Sequence, residues 1–119
     1  KRNMLTIDQQ TKDAVAVLTA SGVLDQAEIH KLREAVARNI LKHQFHLVLN
    51  LRHVGMIEYP SFGVLLELLS ELQQYGGGLK LACANLHTQR MLRLMGLCRV
   101  LMCFDTEAEA IRQYQKEAA

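Results

Sequence analysis

The stretch LVLNLRHVGMIEYPSFGVLLELLSELQQYGGGLKL, residues 47–81, decides how this chain folds. It opens with Leu47–Leu51, an apolar run of strand length. Past the hinge Met56–Gly63, the residues Phe62, Leu65, Leu66, Leu69 and Leu72 recur at helical spacing, and Val64 and Leu68 widen the stripe. Only Glu67, Ser70, Glu71 and Gln74 are left for solvent, so this helix must touch both a sheet and a neighbouring helix. Gly76-Gly77-Gly78 ends it and turns the chain into a second apolar strand, Leu79–Ala84. A helix that starts directly after a buried strand presents unpaired N–H groups and a positive dipole end. Such an end can bind an anion, carry a phosphate or dock a partner.

Upstream, Leu5 and Ile7 alternate with polar residues and predict a half-buried strand, with a hairpin turn over Gln9–Asp13. Ala14–Ala20 is apolar enough for a central strand, broken by Ser21-Gly22. Asp25 and Glu28 have the spacing of a capping box ahead of a helix with Ile29, Leu32, Val36 and Ile40 on its inner face. Downstream, Asn85 is placed to cap a short helix carrying Met91, Leu92 and Met95, which Gly96 ends. Val100–Phe104 reads as a last short strand. Thr106 and Glu109 open a final helix with Ala110, Ile111 and Tyr114 inward and Gln115–Ala119 fraying. The expected order is β-β-α-β-α-β-α-β-α: an α/β domain over residues 1–119 with a mixed four- to five-stranded sheet. Right-handed crossovers place its helices mainly on one face.

Composition narrows the function. Half of the 119 residues are apolar and 22% are charged, which excludes disorder. No apolar run reaches the roughly 18 residues of a membrane span, and the first residues lack a signal-peptide core, so a cytoplasmic protein without membrane insertion is expected. A net charge of +2 with no basic block argues against nucleic-acid binding. Three cysteines, Cys83, Cys98 and Cys103, form no C-x-x-C pair and read as small buried hydrophobes.

Catalysis and metal binding find little support. His46 and His53 flank a strand about 15–20 Å long, too far apart for one tetrahedral site. His43 suits the dipole of a helix C-terminus. None of the three serines, Ser21, Ser61 and Ser70, lies in a nucleophile elbow. The glycine triplet follows a helix, whereas a phosphate loop precedes one. The residues therefore point to a binding domain, not an enzyme, with no cofactor and no metal.

In the order given, six segments resemble the STAS family, the domain of anti-sigma factor antagonists and sulphate-transporter tails. Gly22-Val23-Leu24-Asp25 is similar to its G-x-L-D, and Leu47–Leu51 to its central strand. Phe62-Gly63-Val64-Leu65-Leu66 resembles its L-G-V-L-L, and Gly76-Gly77 with the following strand its G-G-x-L. Leu94-Met95-Gly96-Leu97 and Asp105–Ala110 resemble its closing x-x-G-L and D-x-x-x-E-A.

The resemblance implies a bacterial regulator of transcription that acts in signal transduction by protein–protein interaction, binding an anti-sigma factor or a serine-kinase-type switch protein. The alternative it offers is a scaffold or accessory subunit of a stressosome-like assembly or an ABC-type lipid transporter. Homo-oligomers are compatible with either. The family's switch is D-S-S-G or D-S-T-G, phosphorylated on the first hydroxyl. Aligned on Gly63, this chain has Glu58 for the Asp, Tyr59 for the phosphoserine, Pro60 for the second hydroxyl and Ser61 for the Gly. Pro60 is then expected at the first helical position with Tyr59 as N-cap. Tyr59 reads either as an aromatic filling the loop or, with Phe62, as a contact patch. Ser61 is the nearest remaining hydroxyl, a displaced phosphoacceptor. The expected partner surface comprises Glu58, Tyr59, Pro60, Ser61 and Phe62, bordered by Gly22, Asp25 and Asn85.

Overall fold

The computed structural model describes residues 4–119; the first three residues of the expected domain lie outside it. Its elements are β1 (Thr6–Lys12), β2 (Val15–Leu24), α1 (His30–Leu41), β3 (His46–Ile57), α2 (Tyr59–Gln73), β4 (Gly78–Ala82), α3 (Leu86–Leu94), β5 (Cys103–Phe104) and α4 (Glu107–Ala118). This is the expected element order. The strands form one mixed five-stranded sheet in the order β1-β2-β3-β4-β5, with β1 antiparallel to β2 and the other neighbours parallel.

Alternation along the central strands divides the core in two. Ala16, Leu18, Leu47, Leu49, Leu51, Leu79 and Leu81 point to one face, where they pack with residues of α1, α2 and α3. Val15, Val17, Val48 and Ala82 point to the other, where Ala110, Ile111 and Tyr114 of α4 meet them. Three helices thus share a face and the fourth covers part of the opposite one. The Tyr114 hydroxyl donates to the carbonyl of Leu47 at 2.6 Å. Lys80, buried in β4, lies 4.5 Å over the Tyr114 ring and 3.0 Å from the Glu117 carboxylate. These contacts keep α4 helical to Ala118, where fraying was expected.

Several boundaries differ from expectation, each for a local reason. The hairpin turns later, at Asp13-Ala14, both with positive φ (52° and 64°), and β1 continues to Lys12. β2 does not stop at Ser21-Gly22. It passes through them with two register irregularities and pairs with β3 as far as Leu24. Gly22 has φ +121°, and a Cβ there would lie 2.9 Å from the Met4 carbonyl oxygen, so glycine lets the strand run on beside the N-terminal segment. β3 in turn extends six residues past Leu51, to Ile57.

Asp25 does not cap α1: it accepts from the Glu28 N–H at 2.9 Å in a turn ahead of the helix, which begins at His30 with Ile29 as an N-cap that makes no side-chain bond. Glu28 closes no capping box: its buried carboxylate accepts from the Leu5 N–H and Lys31 Nζ, both at 2.8 Å. β5 is only Cys103–Phe104, with Val100 exposed before it. The cysteines are not core residues. Cys98 is exposed, and Cys83 and Cys103 are half-buried, because they lie beside a two-residue edge strand. Desolvation still raises the Cys103 thiol above its ordinary pKa.

Candidate functional site at the start of α2

The hinge forms where β3 outruns β4. Ile57 still pairs with Leu24, and the Glu58 N–H donates to the Leu24 carbonyl at 2.8 Å. Glu58 is therefore extended (φ −64°, ψ 141°) and is the N-cap of α2, so the helix starts one residue earlier than expected. Tyr59 takes the first helical position and Pro60 the second, where a missing N–H is equally harmless.

Glu58 contributes no side-chain cap. Its carboxylate turns sideways and accepts from the Gln26 N–H at 3.0 Å, tying the head of α2 to the β2–α1 loop. On the other flank, Asn85 makes two contacts. Its oxygen accepts from the Thr88 N–H at 2.9 Å as the N-cap of α3, and its nitrogen donates to the Gly55 carbonyl at 3.0 Å. The hinge is thus bordered by the Asp25–Gln26 loop and the head of α3. Gly22 lies within β2, half-buried against the N-terminal segment, and its role here is conformational.

The expected aromatic pair does not form a patch. Tyr59 is 68% exposed, but Phe62 is only 2% exposed and belongs to the main core. Spacing of three would ordinarily put both on one side of a helix, but Tyr59 is the first residue of α2, at its exposed end, while Phe62 one turn on is already packed in the core. Ser61 is 1% exposed, and among the described residues its Oγ has no hydrogen-bond partner. It is a poor substitute acceptor, since the first turn of α2 would have to open before a kinase could reach it.

A feature missed at the sequence level adjoins Tyr59. Tyr59, Pro60, Gly63, Leu66, Met95 and Leu97, with an edge of Phe62, line a shallow apolar cleft of about 310 Å³. It lies between α2 and the segment that leaves α3. Gly63 is exposed and a Cβ there would meet nothing within 4 Å, so the cleft is open at that point. In the sequence, Leu66 was read as part of the stripe that faces the core, and nothing local marked it as the wall of a cleft. Among the described residues, no group of three or more His, Cys, Asp or Glu side chains is placed to hold a metal ion. The hinge offers an exposed aromatic, an apolar cleft and an acidic side chain, which are means of docking.

Known proteins share this fold. The chain is 25% identical over 112 residues to the anti-sigma F factor antagonist of Paenibacillus polymyxa, covering 93% of this chain and 96% of that protein. The crystal structure of a Thermotoga maritima protein assigned as an anti-sigma factor antagonist superposes with a TM-score of 0.83 at 26% identity, covering 90% of this chain and 92% of that one. The anti-sigma factor antagonist SpoIIAA in its unphosphorylated form has the same fold, with a TM-score of 0.78 at 18% identity over 93% of this chain and 97% of its own. SpoIIAA also has a phosphorylated form. The model of the STAS domain matches residues 6–110, and the chain belongs to the STAS domain family.

Proposed function

We propose that this protein is an anti-sigma factor antagonist that binds an anti-sigma factor or switch kinase in the cytoplasm through the head of α2, and that its binding is not controlled by serine phosphorylation. It acts by contact, not catalysis, as a single STAS unit. The observation that carries this reading is the exposed Tyr59 at the position matching the family's phosphoserine, with the one nearby hydroxyl, Ser61, enclosed. In the relatives, a phosphate at that position would add charge to the docking surface and oppose binding. Here the tyrosine leaves an aromatic anchor beside an apolar cleft, and aromatic side chains often dominate interface energy. The named relatives and the shared fold support the choice of partner.

Calorimetric titration with the kinase-type anti-sigma factor of the same genome tests the docking surface. Tyr59→Ala should weaken the complex tenfold or more, and wild-type affinity in that variant would refute it. Incubation with the same kinase and labelled ATP tests the missing switch. No label should enter the protein, and labelled Ser61 would show that the switch survives in displaced form.

A further inference from the structure

The solvent face of α3 carries a pattern that the docking surface does not use. At about 100° per residue, Arg93, Leu86, Arg90, Leu94 and His87 fall on one side of the helix, with Thr88 and Leu92 opposite. Burial follows this division: Thr88 and Leu92 are buried and the other five are exposed. Leu94 is 82% and Leu86 67% exposed, and Val100 in the following loop is 49% exposed. From Ala84 to Phe104 the chain has no Asp or Glu, while Arg90, Arg93 and Arg99 are all exposed. Among the described residues, none of these guanidinium groups takes part in an ion pair. Arg93 shares a cleft of about 140 Å³ with Asp105 without pairing to it.

Charge and shape select what covers this face. A second copy docking face to face would oppose arginine to arginine, so the occupant is anionic. A protein partner would hold its anchors in enclosed pockets, usually around aromatic side chains. This face has no Phe, Tyr or Trp, and Leu86 and Leu94 stand about 12 Å apart along the helix with arginines between them. Isolated leucines interleaved with arginines suit a lipid surface, where each leucine enters the acyl boundary independently and each guanidinium meets a phosphate without fixed register.

We propose that the outer face of α3, with the loop through Val100, binds an anionic membrane surface. Among the described residues no helix is long and apolar enough to cross a bilayer, and an amphipathic helix bound by one face lies in the plane of the headgroup layer. With so few contributing side chains, the attachment is weak, reversible and salt-sensitive.

Flotation of the full chain with extruded vesicles tests the proposal. At low salt it should float with phosphatidylcholine vesicles containing phosphatidylglycerol, stay behind with pure phosphatidylcholine, and be released by 0.5 M salt (an ionic strength of about 0.5 M screens beyond a few ångströms). Arg90→Gln/Arg93→Gln should lower the partition coefficient roughly 30-fold, and Leu94→Ser about tenfold or more. Leu41→Ser, at an equally exposed leucine on α1, should leave it unchanged, with circular dichroism confirming each fold. Equal flotation with both vesicle types, none with phosphatidylglycerol at low salt, or wild-type flotation of the double arginine variant would overturn the proposal. So would retention on immobilised polyglutamate without flotation, which would assign the face to an acidic protein.

Discussion

The carboxylate of Glu58 accepts the backbone N–H of Gln26 at 3.0 Å, and this bond joins the head of α2 to a loop 32 residues earlier in the chain. An acidic residue at an N-cap would ordinarily serve its own helix. Here the parallel pairing of Leu24 with Ile57 brings the β2–α1 loop alongside, and the carboxylate is used between elements. Glu58→Ala should therefore loosen the loop more than it destabilises the protein. Amide exchange at Gln26 should accelerate, while the unfolding free energy falls by about 1 kcal/mol. Unchanged exchange at Gln26 would mean that the bond contributes nothing to the loop.

Ser61 places a buried hydroxyl where, among the described residues, it has no hydrogen-bond partner. Removing it should relieve the desolvation cost, so Ser61→Ala is expected to be neutral or to stabilise by up to about 1 kcal/mol in urea unfolding. Ser61→Asp, the usual mimic of a phosphate, should cost about 3 kcal/mol or more because it buries a charge without a partner. Such a loss would make the aspartate variant unsuitable as a phosphomimetic.

Two glycines should respond in opposite ways. A Cβ at Gly77 would come within 2.0 Å of the Phe45 carbonyl oxygen, which itself accepts the Gly78 N–H at 2.9 Å. Gly77→Ala must therefore shift backbone, and a loss of about 2 kcal/mol or more is expected. Gly63 is a helical position with open space around it, so Gly63→Ala should raise stability by about 0.5–1 kcal/mol through helix propensity. Parallel urea titrations of the two variants would check both signs.

Glu107 should shape the acid limb of stability. Its hydrogen bond with Lys12, at 2.9 Å, holds its pKa below the ordinary carboxylate value, with Asn50 adding to the effect and burial opposing it. A depressed folded pKa means that this contribution is fully present above the unfolded carboxylate range and is lost as pH falls through the folded value. Wild type should therefore lead Glu107→Gln in stability at neutral pH, and the gap should close in acid. A pH-independent gap in unfolding midpoints between pH 7 and pH 3 would show that the charge plays no part.

The periodicities of residues 47–81 and their flanks determined much of this protein alone: the element order, the mixed sheet, the apolar faces of α1, α2 and α4, and the caps at Asn85 and Thr106. These features depend on neighbours a few residues away, where spacing maps directly onto a face or a turn. Family membership was equally legible, because the six matching segments fall in order along the chain.

What remained was decided by contacts between distant segments. Whether Ser21-Gly22 ends a strand depends on Met4 beside it, and whether Glu58 caps or bridges depends on Gln26. Tyr59 and Phe62 belong to one motif in sequence, yet one is exposed and the other lies in the core. The cleft beside Tyr59 needs Met95 and Leu97, more than thirty residues away, to form its far wall. Local spacing says which face of a helix a residue occupies, but only the packed sheet decides whether that face meets protein or water.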